Sequence, residues 1–352
     1  MQYGEKKMIK VLTDSTNISG LGRYAHNLQI FDNLELISIK LDNKKNDNLF
    51  SGKLFKPLSK DMPFPYIFNK QYPEIFFRNY QNYIKKNLTK NDILHYSHPA
   101  FKKINGKFKE IITFHDLFPF VLNKNLDNEV SKKYFLQWKD NKNLISISET
   151  TKKDMINYGF NEDNITVIHH YIPLDFFELK LSDEDKIFYK KMFNFPLDKK
   201  LILNVSSNNK YKNLNMIKEI ADKLGNKYQL IHIGDKISNN IISLKNISNL
   251  ALNYIYNICD VLVIPSINEG FNYPFLEGLG ANIPMVMSNI PIFKEITNYK
   301  FPLMNNLNDY LTYIKAFCNG ELIYNYESLK ELYSIDVFKE KMIKFYNKVY
   351  EQ

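Results

Sequence analysis

Two glutamates, Glu269 and Glu277, share the stretch PSINEGFNYPFLEG at positions 265–278, with seven residues between them. Pro265 closes an apolar run, DVLVI, and Pro274 suits the first turn of a helix, where a missing N–H costs nothing. The amides of Gly270, Phe271, Asn272 and Tyr273 then lie at a helix start, where exposed N–H groups and the helix dipole favour an anion. Glu277, inside the first turns, is stabilised by that dipole. Glu269 precedes Gly-Phe in a loop and has no evident cap to make. Carboxylates accept O–H donors from polyols and repel a bare polyanion. Two of them flanking an anion-binding helix start therefore suit a ligand with hydroxyls on both sides of a diphosphate, such as a nucleotide sugar.

Other strand ends offer further chemistry. Lys212, in LNVSSNNKYKNLNMI, stands near a helix start and suits a phosphate. In TDSTNISGLGRYAHNL, Gly20 and Gly22 are expected to turn the chain before a helix beginning near Arg23. The spacing Gly20-x-Gly22-x-x-Ala25, with Asp42 further on, also fits a dinucleotide fingerprint, although STNIS intervenes between strand and first glycine. His115, with Asp116 in ITFHDLFPF, can donate to a sugar hydroxyl or a developing charge. His95 and His98 lack a third ligand nearby, so no metal site is expected. Ser148 reads as a helix N-cap. Asp183, Glu184 and Asp185 imitate a metal pair but fall in a polar connecting stretch and read as solvated charge.

These loops hang on a repeating pattern. Short apolar runs (MIKVLTD, LELISIKL, DILHYS, EIITFHD, LISIS, ITVIHHYI, LILNVSS, YQLIHIGD, DVLVIPS) suit strands buried on both faces. Helical patterns such as GRYAHNLQIF, KNLNMIKEIADKLG and PFLEGLGA lie between them, which predicts parallel α/β sheets. The alternation comes in two batches joined near 172–200. The boundaries read 1–175 and 176–335, with a C-terminal amphipathic helix at 336–352 showing Val337, Met342, Phe345 and Val349 on one side. Ligands of open parallel sheets lie beyond the carboxyl ends of the strands, so the site is expected between the two sheets.

The 352 residues, 44% hydrophobic and 24% charged, describe a globular chain with more than one core. Two cysteines, Cys259 and Cys318, form neither a metal spacing nor a disulfide framework and suggest a reducing compartment. No run of about eighteen apolar residues predicts a membrane span, and the start MQYGEKKMIKVLTD lacks the apolar core of a signal peptide. The formal charge of +9 allows an anionic partner, but a chain rich in Lys, Asn, Ile, Tyr and Phe together carries many lysines as ordinary solvated surface.

On these motifs the chain resembles the retaining glycosyltransferases of family 4 (glycosyl transferases group 1), which have the GT-B fold. SGLGRYAHNL is similar to the family's Gly-rich first loop. TFHDLFP, LISISETTK and ITVIHHYIPLDFF resemble its N-domain landmarks, KYKNL its Lys-Asn element, and PSINEGFNYPFLEGLGANIPMVMSNIPIFKEI its E-x(7)-E block. The resemblance implies an α/β fold of two Rossmann-like doubly wound parallel-sheet domains facing across a cleft, acceptor side first and donor side second. By position, Glu269 contacts the donor sugar and Glu277 the ribose hydroxyls. Lys212 and the amides of Asn272 and Tyr273 neutralise the leaving diphosphate. His115 lies near the transferred sugar, and Gly20 and Gly22 approach the diphosphate. Many members carry Gly-Arg where this chain has Ser206 and Ser207, so Lys210 becomes a candidate substitute cation. EGFNYP stands where EGFGLP is common.

The activity implied is metal-independent transfer, with retention, from a UDP- or GDP-sugar to a hydroxyl of a glycan or lipid-linked glycan. No cofactor and no nucleic-acid partner are expected. The implied location is cytoplasmic, with peripheral contact at the inner membrane face as a further expectation; the aromatic, basic segment at 64–80 is a candidate to meet a lipid-linked or membrane-bound glycan acceptor, and equally an ordinary core helix. Three other readings share the same features: a nucleotide-sugar isomerase, a catalytically silent sugar-nucleotide binding protein, and an NAD-dependent dehydrogenase using the Gly20–Ala25 loop.

Overall fold

The computed structural model describes residues 8–13, 20–38, 82, 84–86, 88–99, 101, 103–104, 106–117 and 135–352. Asp42 and the aromatic segment at 64–80 lie outside them. The chain divides into two compact units, Met1–Ile168 with Lys341–Gln352, and His169–Glu340.

In the first unit the strands β1 (Ile9–Thr13), β2 (Leu34–Ser38), β3 (Ile93–Tyr96), β4 (Lys109–Phe114), β5 (Leu144–Ser146) and β6 (Ile165–Val167) form one sheet in the order β2-β1-β3-β4-β5-β6. Every pairing is parallel. Helix α1 (Gly20–Asn27) joins β1 to β2, and α2 (Glu149–Asn157) joins β5 to β6. Ser148 caps α2 by accepting from the Thr151 N–H. Leu12, Leu94, Ile112, Leu144 and the fully buried Trp138 share its core.

The second unit opens with α3 (Asp183–Met192), so the polar stretch read as a connection is partly helical. A capping box between Ser182 and Asp185 nucleates it, and the acidic triplet occupies the first turn, where the dipole favours negative charge. There follow β7 (Lys200–Val205), α4 (Leu214–Leu224), β8 (Tyr228–Ile233), β9 (Ile242–Leu244), α5 (Asn249–Ile258), β10 (Val261–Ile264), α6 (Tyr273–Ala281) and β11 (Met285–Met287). The parallel sheet runs β11-β10-β7-β8-β9. Its switch point lies between β7 and β10: the chain leaves β7 toward one edge and β10 toward the other. In such sheets the diverging loops at that point form the ligand crevice.

Packing fixes where α6 sits. A Cβ on Gly280 would stand 2.4 Å from the Phe176 carbonyl oxygen, and one on Gly278 would stand 2.9 Å from Met285 Sδ and 3.0 Å from a Leu262 methyl. The small residues of FLEGLGA thus bring α6 close against its neighbours. Helices α7 (Pro291–Ile296), α8 (Leu307–Cys318) and α9 (Glu327–Leu332) follow, then α10 (Ile335–Glu351), whose residues from Lys341 on belong to the first unit. Its buried stripe is Phe338, Met342, Phe345, Tyr346 and Val349. Val337, expected there, is only half-buried; the helical stripe falls one residue later, on Phe338.

Candidate active site

Glu269 follows β10 in a buried loop and is itself 6% exposed. Its Oε1 accepts from Lys212 Nζ at 2.6 Å, Ser266 Oγ at 2.7 Å and Asn272 Nδ2 at 2.9 Å. No donor among the described residues reaches its Oε2, which keeps contact with solvent. One oxygen of the carboxylate is therefore saturated and pinned, and the other is available as an acceptor.

The loops after β7 and β10 are sewn together at the switch point. Lys212 ends a 3₁₀ turn, Lys210–Lys212, after which Asn213 takes a left-handed conformation (φ 54°) into α4. The Asn213 side chain donates to the Pro265 carbonyl at 3.2 Å, and the Ile267 N–H donates to the Tyr211 carbonyl at 2.8 Å. The Lys212 ammonium lies 5.3 Å from the Tyr211 ring centre. Lys210, the candidate substitute cation, is exposed. Ser207 is also exposed, and its hydroxyl accepts from Asn209 Nδ2 at 2.8 Å.

Asn272 is the hinge of the constellation. It adopts φ 98°, a conformation that disfavours any side chain, and its Oδ1 caps α6 by accepting from the Phe275 N–H at 2.9 Å. The same amide clamps Glu269. The main-chain N–H groups of Gly270, Phe271 and Asn272 find no acceptor among the described residues. They stand beside the start of α6, where backbone donors and dipole favour an anion. Phe271 is boxed by His169, His170 and Tyr333 at ring-centre distances of 5.6, 5.1 and 5.7 Å. His170 stacks on Tyr273 at 5.0 Å, and His169 Nε2 meets Glu295 at 3.0 Å.

Glu277 is not part of the Lys212 cluster. It is fully buried and its Oε2 accepts from the Tyr256 hydroxyl of α5 at 2.7 Å. Beneath the loop after β7, Asn204 Oδ1 takes hydrogen bonds from Ser206 Oγ at 3.0 Å and His232 Nδ1 at 2.8 Å, while Asn204 Nδ2 donates to the Val263 carbonyl at 2.9 Å. Burial pushes the His232 pKa down, which keeps the ring neutral there.

In the first unit, His115 stands just past β4 and is buried. Burial drives its pKa to about 3, so the ring is neutral at ordinary pH. Its Nε2 meets the Ser97 carbonyl at 2.9 Å, which places the proton on Nε2. That proton is already donated to the protein's own backbone, so Nε2 is not free to donate to a ligand as expected. Gly20 and Gly22 also differ from expectation: α1 begins at Gly20, three residues before Arg23, so both belong to the helix's first turn. The dinucleotide fingerprint needs its glycines in a turn ahead of the helix, and these are not placed so.

The sequence reading missed Ser266, Tyr256 and the His169–His170 pair. Ser266 sits three residues before Glu269, the reach of a capping pair, and Tyr256 is a hydroxyl on a helix face that is buried. Among the described residues no group of three or more His, Cys, Asp or Glu could hold a metal ion, and no helix is long and apolar enough to cross a membrane.

Residues 185–301 match the sequence family described as Glycosyl transferases group 1. The O-antigen chain mannosyltransferase RfbU of Salmonella typhimurium is 24% identical over 245 residues, 63% of this chain and 67% of that protein. Further curated relatives match over 40% to 46% of their length. Among solved structures, sucrose-phosphate synthase from Thermosynechococcus elongatus superposes with a TM-score of 0.74 at 13% identity, covering 98% of this chain and all of that one. Anabaena HepE in complex with UDP and glucose superposes with a TM-score of 0.69 at 10% identity over 97% of this chain and 100% of its own. The two parallel-sheet α/β units are those of the GT-B fold.

Proposed function

We propose that this chain is a group 1 glycosyltransferase of GT-B fold and that it moves a sugar from a nucleoside-diphosphate sugar to an acceptor hydroxyl with retention of configuration. One observation carries the reading: a pinned, half-satisfied Glu269 beside Lys212 and unpaired amides, at the switch point of the second sheet. Glu269 Oε2 accepts hydroxyls of the transferred sugar. Lys212 and the N–H groups of Gly270, Phe271 and Asn272, with Tyr273 at the helix start, take the charge that grows on the β-phosphate as the C1–O bond breaks. These donors are fixed before reaction, which is electrostatic preorganisation. No divalent cation is required if they carry that charge. Glu277, anchored by Tyr256, holds the ribose hydroxyls. Gly20, Gly22 and His115 of the first unit are further proposed donor-binding positions.

The acceptor attacks from the face the leaving group departs, through an oxocarbenium-like state, and its proton passes to the departing phosphate oxygen. HepE was solved with UDP and glucose. RfbU is named as an O-antigen mannosyltransferase. These support a nucleotide-sugar donor and a glycan acceptor; the reading takes the donor as a UDP- or GDP-sugar, extends the acceptor to lipid-linked glycans and puts the reaction at the cytoplasmic side of a membrane. The test is a panel of UDP-, GDP- and ADP-sugars read by thermal shift and by nucleoside diphosphate release. Lys212→Ala is expected to cut turnover by about 10²–10³-fold. Full turnover by both Lys212→Ala and Glu269→Ala would place the site elsewhere, and epimerised donor without release would identify an isomerase.

A further inference from the structure

Within the first unit a polar chain runs through an otherwise apolar core. The Tyr346 hydroxyl, on α10, meets His95 Nδ1 at 2.9 Å. His95 Nε2 meets Thr113 Oγ1 at 2.7 Å, and Thr113 Oγ1 meets the Tyr24 hydroxyl, on α1, at 2.9 Å. His95 and Thr113 are fully buried, and Tyr24 and Tyr346 are 2% and 3% exposed. The Tyr24 ring packs edge-on against His115 at 4.9 Å, and the Tyr346 ring against Phe31 and His95 at 6.0 Å each.

Four groups in series leave little freedom. Burial lowers the His95 pKa to about 3, so the imidazole carries one proton and one lone pair. If Nε2 holds the proton, it donates to Thr113, Thr113 donates to Tyr24, and Tyr346 donates to Nδ1. If Nδ1 holds it, every arrow reverses. Either way each link depends on its neighbours, because a neutral imidazole and single hydroxyls cannot be satisfied in any mixed order. Removing the Tyr346 hydroxyl leaves the buried His95 Nδ1 without that partner, and removing the Thr113 hydroxyl leaves Nε2 without its own. Ordinary apolar packing would hold α1 and α10 to the sheet without this chain, and would do so with less specificity.

We propose that Tyr346, His95, Thr113 and Tyr24 act as one positioning relay through which the C-terminal helix fixes α1, and with it the glycines of its first turn, Gly20 and Gly22. The inference rests on the functional reading above for its consequence, since those glycines are among the proposed donor-binding residues. None of the four residues touches substrate.

Tyr346→Phe and Tyr24→Phe keep both rings and remove only hydroxyls, and Thr113→Val and Thr113→Ser remove and retain the central one. Hydrogen exchange reads α1 directly, without any substrate. Tyr346→Phe is expected to speed exchange of the amides of Gly22 to Asn27 by about tenfold, with the strand amides of β4 unchanged. The Tyr346→Phe/Tyr24→Phe double variant is expected to add little to either single change, and Thr113→Ser to behave as wild type where Thr113→Val does not. In turnover, donor KM rises by about the same factor while kcat changes less than about threefold. Additive effects of the two Phe substitutions, or loss of protection spread evenly over the unit, would overturn the relay. If the wild-type protein neither binds nor consumes any nucleotide sugar, the functional reading fails, and the exchange arm still decides the relay.

Discussion

Replacing Glu269 by Gln separates the two oxygens of its carboxylate. Three donors converge on Oε1: the Lys212 ammonium, the Ser266 hydroxyl and the Asn272 amide. None of them can accept in that geometry without giving up its own role, so the glutamine must turn its carbonyl toward them. Its NH₂ then occupies the Oε2 position and presents two donors where the donor sugar's hydroxyls need an acceptor. A hydrogen bond to a charged group contributes about 1.5–3 kcal/mol, so kcat/KM should fall about 10- to 150-fold for one such lost contact. The internal network survives in outline, with one charge missing beside Lys212. The fold should therefore persist, and a steady-state assay on protein of verified folded fraction, following nucleoside diphosphate release, gives the number. Wild-type kcat/KM in Glu269→Gln, in an enzyme that otherwise turns over, would refute the assignment of Oε2 to the sugar.

Other perturbations test the scaffold. Asn272→Ala keeps the unfavourable φ of 98° and loses both the α6 cap and the Glu269 clamp, whereas Asn272→Gly loses the contacts and relieves the backbone. Thermal denaturation should rank wild type above Gly and Gly above Ala, the last step being about 1 kcal/mol. Gly280→Ala drives a methyl into the Phe176 carbonyl oxygen and should cost about 1–3 kcal/mol by urea unfolding. His95 and His115 are held neutral by burial with pKa values near about 3, below the unfolded value. The unfolded chain binds those protons first, so their contribution is complete above about pH 6.5 and is lost as pH falls toward 3. Urea midpoints between pH 7 and 5 should show a decline of about 2–4 kcal/mol, and a flat profile would contradict the buried neutral state.

Much of the fold could be read from short apolar runs, because strands of a parallel sheet are covered on both faces and show no alternation. β10 is the clear case: VLVI is buried throughout and ends at proline. β5 and β6 have only three residues each but lie in longer apolar runs, LISIS and ITVIHHYI; β9 and β11, equally short, sit in briefer runs between polar residues and proline and escaped. α3 was hidden by its own charge, since the acidic triplet that reads as solvated linker is also a favourable first turn. At the site, the pairing of Lys212 with Glu269 spans 57 positions and no local pattern announces it. In the structure it follows from the order of the strands: residues after β7 and β10 converge because those strands are neighbours. Side-chain direction was not legible. The tautomer of His115 follows from the Ser97 carbonyl, and the anchoring of Glu277 comes from a tyrosine on a different helix.

The two carboxylates that flank the start of α6 solve one electrostatic problem in the same way. A helix start lined with unpaired N–H groups attracts phosphate, and a bare carboxylate there would compete for those donors or repel the ligand. Here each carboxylate is first engaged by the protein: three donors meet Oε1 of Glu269, and the Tyr256 hydroxyl meets Oε2 of the fully buried Glu277. The Lys212 ion pair also neutralises Glu269 before any phosphate arrives. Anchored acceptors lose little conformational freedom when they bind hydroxyls, and they leave the amides of residues 270–272 to the anion. The arrangement thus discriminates by sign along one ligand, acceptors for its polyol ends and donors for its middle. An inorganic diphosphate would meet only the middle of that site. A nucleoside diphosphate should therefore protect the second unit against thermal unfolding more than the same concentration of diphosphate does, and Tyr256→Phe, by loosening the proposed ribose contact alone, should narrow that difference.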